Sequence, residues 1–432
     1  MLKKILVTVG TRYAITLLNL LLILIHSRVL GRDGMGVVGV IYASVNLAVI
    51  FNSVLCGNTI VYFMHRQPFR TVFWPTYVWA FVGSAIACVC MSLLGMLPEG
   101  YGFIVYGLSV LLSLVAANAR FLLGKDLIKA FNAVFIIQGG LLFFILVGFY
   151  FGLNKRDVSG YLWGLFLTNL IAWMVSLGLM IKPFFRVPHE ARVSGSWIKG
   201  VKAMFVYGLW SSADNLAEGL TTRLNYFLLQ RFGGYGQVGL LDSGTKISES
   251  IWHISHGVSF IAYSQIARTS EAERQRSLTL RLFKLTYCTL IVAMALVLCL
   301  PEWVYTDYLF TPEFTGIRKV IVALAVGIVT FGSNRILSHY FIGTGRVRVS
   351  AVCSCIGLLV LLIAGGFLIP AYGVTGAALS SSIAFSAMLL FSIVVFLQLA
   401  LSSYCRACPG SKSNSLRRGF QWKNFLNDVS HR

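Results

Sequence analysis

Long apolar runs separated by short polar breaks fill this chain from end to end, and most of the runs have the length that a lipid bilayer demands. A helix needs roughly 20 apolar residues to cross about 30 Å of hydrocarbon. About twelve windows qualify: residues 5–29, 37–64, 73–97, 103–123, 127–151, 160–181, 201–229, 238–267, 282–300, 320–342, 347–369 and 374–401. The pattern predicts an all-α polytopic membrane protein, because a helix satisfies its own backbone hydrogen bonds where no water can. The first run follows Lys3 and Lys4 as a signal peptide would. It is too long for one and lacks a small-residue cleavage pattern before Arg28, so it reads as a span.

Two windows break the apolar rule in a regular way. Between Gly234 and Arg268, the residues Asp242, Lys246, Glu249, His253 and His256 follow one another at steps of four, three, four and three. On a helix of 3.6 residues per turn all five fall on one face. The preceding window carries Ser211, Asp214, Glu218, Thr221 or Thr222, and Asn225 on roughly one face. Ionisable groups inside a bilayer are costly and usually pair with one another or line a pathway. Both stripes therefore predict a polar cavity that the other helices surround.

Composition agrees: 57% hydrophobic and 12% charged residues over 432 positions are far too apolar for a soluble chain. The net charge of +21 does not indicate a nucleic-acid partner, since the basic residues lie between membrane runs rather than on a folded soluble face. They sort by side instead. Lys3/Lys4, Arg66/Arg70, Arg120/Lys125/Lys129, the Lys182–Lys202 cluster, Arg268 to Lys284, Arg346/Arg348 and the tail from Arg406 to Arg432 all fall on one face. The other holds little beyond Arg28/Arg32, Lys155/Arg156, Arg231 and Arg318/Lys319. The positive-inside rule places the richer face, with both termini, in the cytoplasm. The longest outer loop, about residues 301–319, is too short for a periplasmic catalytic domain, and no Gly-Lys-Ser/Thr phosphate loop is present. Neither a membrane polymerase nor an ATPase is expected. The nine cysteines are scattered and mostly lie in apolar segments; Cys405 and Cys408 have metal-clip spacing but no second pair beside them, so no metal and no cofactor is expected.

The chain also echoes itself. Leu30-Gly31-Arg32-Asp33-Gly34-Met35-Gly36-Val37-Val38-Gly39 after the first span has a counterpart after the seventh, Phe232-Gly233-Gly234-Tyr235-Gly236-Gln237-Val238-Gly239. A weaker echo pairs Phe121-Leu122-Leu123-Gly124-Lys125 with Phe341-Ile342-Gly343-Thr344-Gly345-Arg346. Six spans separate the corresponding points, so two halves would share one orientation about an axis along the membrane normal. The expected organisation is a six-helix lobe over residues 1–183, a cytoplasmic linker over 184–200, a second six-helix lobe over 201–401 and a basic tail over 402–432.

These stretches carry a resemblance. Arg28-Val29-Leu30-Gly31-Arg32-Asp33-Gly34-Met35-Gly36 is similar to the opening turn of Wzx-type polysaccharide flippases of the multidrug/oligosaccharidyl-lipid/polysaccharide (MOP) exporter superfamily. Arg223-Leu224-Asn225, leading through Gly236 and Gly239 to Lys246-Ile247-Ser248-Glu249, resembles that family's seventh and eighth helices. Gly345-Arg346 resembles the turn after its tenth, and Leu368-Ile369-Pro370-Ala371-Tyr372-Gly373-Val374-Thr375-Gly376-Ala377-Ala378 the turn before its last. Asn225 departs from the pattern, since relatives often carry Asp there. The resemblance implies two six-helix lobes forming a V around a central cavity, opening alternately to cytoplasm and periplasm of a bacterial inner membrane. It also implies an undecaprenyl-pyrophosphate-linked oligosaccharide as cargo, moved outward for O-antigen, capsule or exopolysaccharide assembly. Other polysaccharide-assembly membrane proteins are implied partners. A cation-coupled multidrug antiporter or a lipid II flippase of the same superfamily is the alternative.

Hiding a pyrophosphate within the bilayer calls for cations there, and Arg12, Arg223, Lys246 and Arg335 are the basic residues that hydropathy leaves inside spans. Three of them have a plainer reading. Arg12 can snorkel to headgroups, Arg223 can reach outward or pair with Glu218 or Asp242, and Lys246 can be neutralised by Asp242 or Glu249 along its own helix. Asp214, Glu218, Asp242 and Glu249 are candidates for coupling to a proton or sodium gradient, or are counter-charges in a structural network. His253 and His256 can relay protons or simply pack. The first lobe reads as poor in buried charge beyond Arg12.

Overall fold

The computed structural model describes residues 2–64, 67–125, 127–185, 197–252, 255, 271–344 and 346–407. His253, His256 and Cys408 lie outside the described residues, as do the side chains of Arg12, Ser211 and Cys405. Among the described residues the elements are all helical: α1 (Leu2–Cys56), α2 (Asn58–Met64), α3 (Phe69–Leu93), α4 (Gly102–Gly124), α5 (Ile128–Val147), α6 (Val158–Met180), α7 (Trp197–Ser250), α8 (Ala272–Leu298), α9 (Ile317–Gly343) and α10 (Val347–Ala407).

Three of these are too long for one crossing, and each is bent at a single glycine: Gly31 in α1 (φ 65°), Gly234 in α7 (φ 73°) and Gly373 in α10 (φ 55°). A residue with a Cβ in that left-handed region costs about 1–2 kcal/mol, so glycine is what lets the chain turn without a loop. The Gly-rich motifs expected to be turns are thus one-residue bends between two legs. With each bent helix counted as two legs, the described residues supply the twelve expected crossings in two six-helix lobes. Eight described helices are long and apolar enough to cross a membrane. α7 is not among them, because its polar stripes dilute its apolar windows.

All three bends lie on one face of the bundle, termed here the turn face; the described ends of α1 and α10, with Arg70 at the start of α3 and Lys125 after α4, lie on the other, the basic face. The lobes meet at the turn face in a reciprocal crossing. A side chain on Gly36 would run into the backbone carbonyl of Tyr235, and one on Gly239 into the carbonyl of Arg32. Counted from the bends at Gly31 and Gly234, Arg32 and Tyr235 each lie one residue on and Gly36 and Gly239 each five, so the seam relates the halves by a local two-fold. Arg32 reinforces it, its Nε donating to the Gly236 carbonyl at 2.8 Å and its backbone N–H to Glu313 at 3.1 Å. Arg28 donates to the Tyr308 carbonyl nearby. The second echo is also structural. α4 and α9 end in the same way, with Leu127 N–H reaching the Leu122 carbonyl (3.0 Å) and Arg346 N–H the Phe341 carbonyl (2.7 Å).

Each lobe has its own apolar core. Val72, Leu114, Phe121 and Ala172 pack together in the first, and Trp252, Leu324, Phe331 and Phe385 in the second. The second leg of α1 turns Met35, Val40 and Ala43 into the second lobe's core, tying the lobes at the seam. Buried amides knit the helices within a lobe: Asn52 donates to Ser84 and Ser113, and Asn118 links Tyr77 to Ser176. Such interhelical bonds contribute on the order of 0.6 kcal/mol each in a membrane. Two boundaries differ from the sequence reading. The linker expected over 184–200 is helical from Trp197 onward, and the span expected from residue 282 begins at Ala272, so that Arg274, Arg276, Arg281 and Lys284 ride on a helix.

Gly36→Val is expected to lower stability by about 3 kcal/mol or more through overpacking against backbone that cannot move aside. Gly140→Ala, whose new methyl meets open space, is expected to stay near neutral. Thermal unfolding of both variants in detergent checks the contrast.

Candidate functional site

Between the lobes lies a cavity of about 530 Å³. Its walls come from the second leg of α1 (Val49, Ile50, Ser53, Cys56), from Gly57, from α4 (Ser113, Ala116, Arg120), from α7 (Asn215, Glu218, Thr222, Arg223, Glu249), and from Trp252 and Arg335. Its α4 wall lies in the half of that helix nearer the basic face, beneath the closed seam of the turn face. The helical backbone breaks at Gly57, between α1 and α2, where it borders the cavity. Non-helical backbone at membrane depth is tolerated where it borders protein or water in this way.

The charged stripes resolve into ion pairs. Arg223 Nη2 meets Glu249 Oε2 at 3.0 Å across the two legs of α7, with each side chain 18% exposed. Lys246 Nζ meets Asp242 Oδ2 at 2.6 Å, one turn apart on the second leg. Arg335 Nη2 of α9 meets Glu218 Oε1 at 3.1 Å. The first two pairs are joined by Tyr226, whose hydroxyl accepts from Arg223 Nη1 (3.1 Å) and donates to Asp242 Oδ1 (3.2 Å). The result is a continuous polar chain Glu249–Arg223–Tyr226–Asp242–Lys246. The Arg335 guanidinium lies over the rings of Phe331 and Trp252, at 5.3 and 6.0 Å from their centroids, an arrangement in which the ring faces add attraction to the ion pair.

This geometry sorts the candidates. Arg223, Arg335, Glu218 and Glu249 line the cavity. Lys246 and Asp242 do not. Asp242 is buried against Gly39 of α1, close to the seam, and holds Lys246 there. Asp214 also lies off the walls, accepting from Ser354 of α10 at 2.6 Å. Arg223 pairs with Glu249, not with Glu218 or Asp242. Asn225, at the position where an acidic partner for Arg223 was missing, turns its amide away and donates to the Ala377 carbonyl, Ser380 and Ser381 of α10 at 2.8–3.0 Å. The polar face of the first leg of α7 is thus shared, part serving the lobe's own packing and part the cavity.

Arg120 corrects the reading of the first lobe. Its place near a cluster of loop lysines suggests a headgroup-level charge, yet it lies within α4 and lines the cavity. The first lobe therefore contributes a cation of its own. Trp252 and Tyr226 were also missed, since an aromatic on an apolar helix reads as core until its polar atom is placed.

No family model matches the sequence, and no curated protein matches it. Solved structures do. The chain superposes on a structure described as lipid II flippase MurJ in an inward closed conformation with a TM-score of 0.72, at 12% identity, covering 98% of this chain and 96% of that one. It superposes on an inward-facing multidrug resistance MATE family transporter of the MOP superfamily with a TM-score of 0.64, at 15% identity, covering 92% and 96%. The fold is that of the MOP superfamily. Within it, a structure described as the outward-facing conformation of such a MATE transporter matches less well, with a TM-score of 0.55 at 14% identity over 92% of this chain and 94% of that one. As a MOP-fold chain it is a multi-pass membrane protein, and its apolar helices have the length this requires.

Double-mutant cycles on the MOP-fold cavity pairs are expected to give a coupling of about 1–2 kcal/mol for Arg223–Glu249. A smaller value, about 0.5–1 kcal/mol, is expected for Arg335–Glu218, whose side chains are 25% and 33% exposed and better screened by water. Denaturant unfolding of single and double Met/Gln variants provides the four corners of each cycle.

Proposed function

We propose that this protein is a flippase that carries an undecaprenyl-pyrophosphate-linked oligosaccharide, a repeat unit of O-antigen, capsule or exopolysaccharide, from the cytoplasmic to the periplasmic leaflet. The observation that carries this reading is the charge of the cavity: three arginines (Arg120, Arg223, Arg335) face two glutamates (Glu218, Glu249) on its walls. That excess is positive and built of guanidinium, whose planar fork suits phosphate oxygens. A lipid-linked sugar has an anionic diphosphate and a polar head that need such a wet pocket, while its polyprenyl tail stays in lipid. An antiporter for organic cations needs the opposite excess, an acidic pocket with aromatic walls. The similarity to a structure described as a lipid II flippase supports lipid-linked cargo in general.

In this reading the basic face is cytoplasmic, in a bacterial inner membrane, and both termini lie on that side. The lobes, residues 1–183 and 201–401, rock about the Gly36–Gly239 seam, so that cargo enters from the cytoplasmic leaflet while the turn face is shut. Arg223 and Arg335 contact the diphosphate directly. Lys246 holds Asp242 and acts through the network, and Arg12 belongs to the same cation set. Glu218 and Glu249 exchange a proton or a sodium ion as cargo passes, with Asp214 and Asp242 in support. Membrane lipids and other polysaccharide-assembly membrane proteins are its partners; no cofactor is required.

Purified protein in liposomes is expected to move a fluorescent undecaprenyl-pyrophosphate sugar across the bilayer at a rate that responds to an imposed proton or sodium gradient. Arg223→Ala and Arg335→Ala are expected to slow that movement at least tenfold. Extrusion of a soluble cationic dye with no movement of the lipid-linked sugar would place the protein with the antiporters instead.

A further inference from the structure

Among the described residues, the cavity's arginines differ in one respect. Arg223 and Arg335 are each already occupied by a carboxylate, Glu249 and Glu218. Arg120 has no carboxylate and no side-chain hydrogen-bond partner among the described residues, although it lines the same cavity and is only partly exposed. A guanidinium stays protonated in proteins, and a charge removed from bulk water without a counter-charge is costly. A cavity of about 530 Å³, on the order of fifteen water volumes, leaves room beside it for an anion and its hydration. Arg120 also stands on the other lobe from the ion pairs. It belongs to α4, whereas Arg223, Glu249, Arg335 and Glu218 all belong to α7 and α9.

We propose that Arg120 is the primary receptor for the anionic group of the cargo, a phosphate or diphosphate, and that the carboxylates on the opposite wall set its affinity by holding Arg223 and Arg335 in reserve. This rests on the flippase reading for what the anion is attached to, but not for the binding itself. An incoming diphosphate meets a free cation first. It engages the paired arginines only by competing with Glu249 and Glu218, which makes binding reversible at a site that must also release. Because Arg120 and the pairs sit on different lobes, a bound anion touches both walls and couples cargo to their relative movement.

The test uses the full-length protein in nanodiscs with inorganic pyrophosphate as the probe, titrated by calorimetry. Wild type is expected to bind it. Arg120→Ala is expected to weaken binding at least tenfold, and Arg120→Lys, which keeps the charge but loses the fork, only severalfold. Glu249→Gln frees Arg223, so alone it is expected to tighten binding. In the Arg120→Ala background the same change returns the cavity walls to the wild-type formal charge, and most of the lost affinity is expected to come back. A merely structural role for Arg120 predicts no such rescue. Wild-type affinity in a folded Arg120→Ala variant, failure of Glu249→Gln to restore binding, or no pyrophosphate binding by wild type would each overturn the proposal. The flippase reading fails separately. If pyrophosphate binds through Arg120 but the lipid-linked sugar does not cross liposomes, the anion site stands and the cargo is something else; if the sugar crosses equally well with Arg120→Ala, the cargo reading stands and Arg120 is not its receptor.

Discussion

A charge inside a bilayer must meet an opposite charge or water, and most of what distinguishes this chain from a generic bundle follows from that requirement. Three carboxylates and three cations of the second lobe meet it by pairing with each other at 2.6–3.1 Å. Once paired they are still too polar to face acyl chains, so the helices that bear them must turn inward and leave a hollow. The first lobe closes over that hollow with apolar, small and hydroxyl-bearing side chains, and with Arg120. Replacing such pairs with well-packed apolar residues is often neutral or stabilising. Their presence therefore points to use more than to stability.

The seam at the turn face meets a different constraint, the approach of two backbones. Gly36 and Gly239 allow the carbonyls of Tyr235 and Arg32 to come where a Cβ would sit, and small residues are how membrane helices gain close contact when there is no water to expel. Because the contact is reciprocal, one local arrangement serves both halves. The polar contacts beside it, from Arg28 and Arg32 to Tyr308, Gly236 and Glu313, reach backbone carbonyls or a single carboxylate at the rim. Met35, Val40 and Ala43 of α1 also sit in the second lobe's core, so opening the closure has to withdraw them from it as well as break the rim bonds.

Tyr226 shows how the two systems communicate. It ties Arg223, on the cavity wall, to Asp242, which packs on Gly39 next to the seam. Disturbing Arg223 at the cavity therefore reaches the closing contact through one hydroxyl and one carboxylate. The path from the cavity wall to the seam thus runs through side chains of the second lobe and meets the first at Gly39.

The sequence by itself determined the spans, the Gly-rich stretches at which the long helices bend and the fact that α7 carries the polar chemistry. Those features are written in local periodicity: run length against bilayer thickness, charge spacing against 3.6 residues per turn, and glycine where no other residue can turn. Tertiary structure alone decided which charge meets which. Glu218 and Glu249 both lie within reach of several cations on paper, and only the packing of α9 against α7 assigns Arg335 to one and leaves Arg223 to the other. It also decided that Lys246 serves the seam rather than the cavity, and that Arg120 is a cavity residue. Arg120 lies one turn from the end of α4, where sequence cannot distinguish a headgroup charge from a buried one, because that depends on the direction in which a neighbouring lobe leaves space.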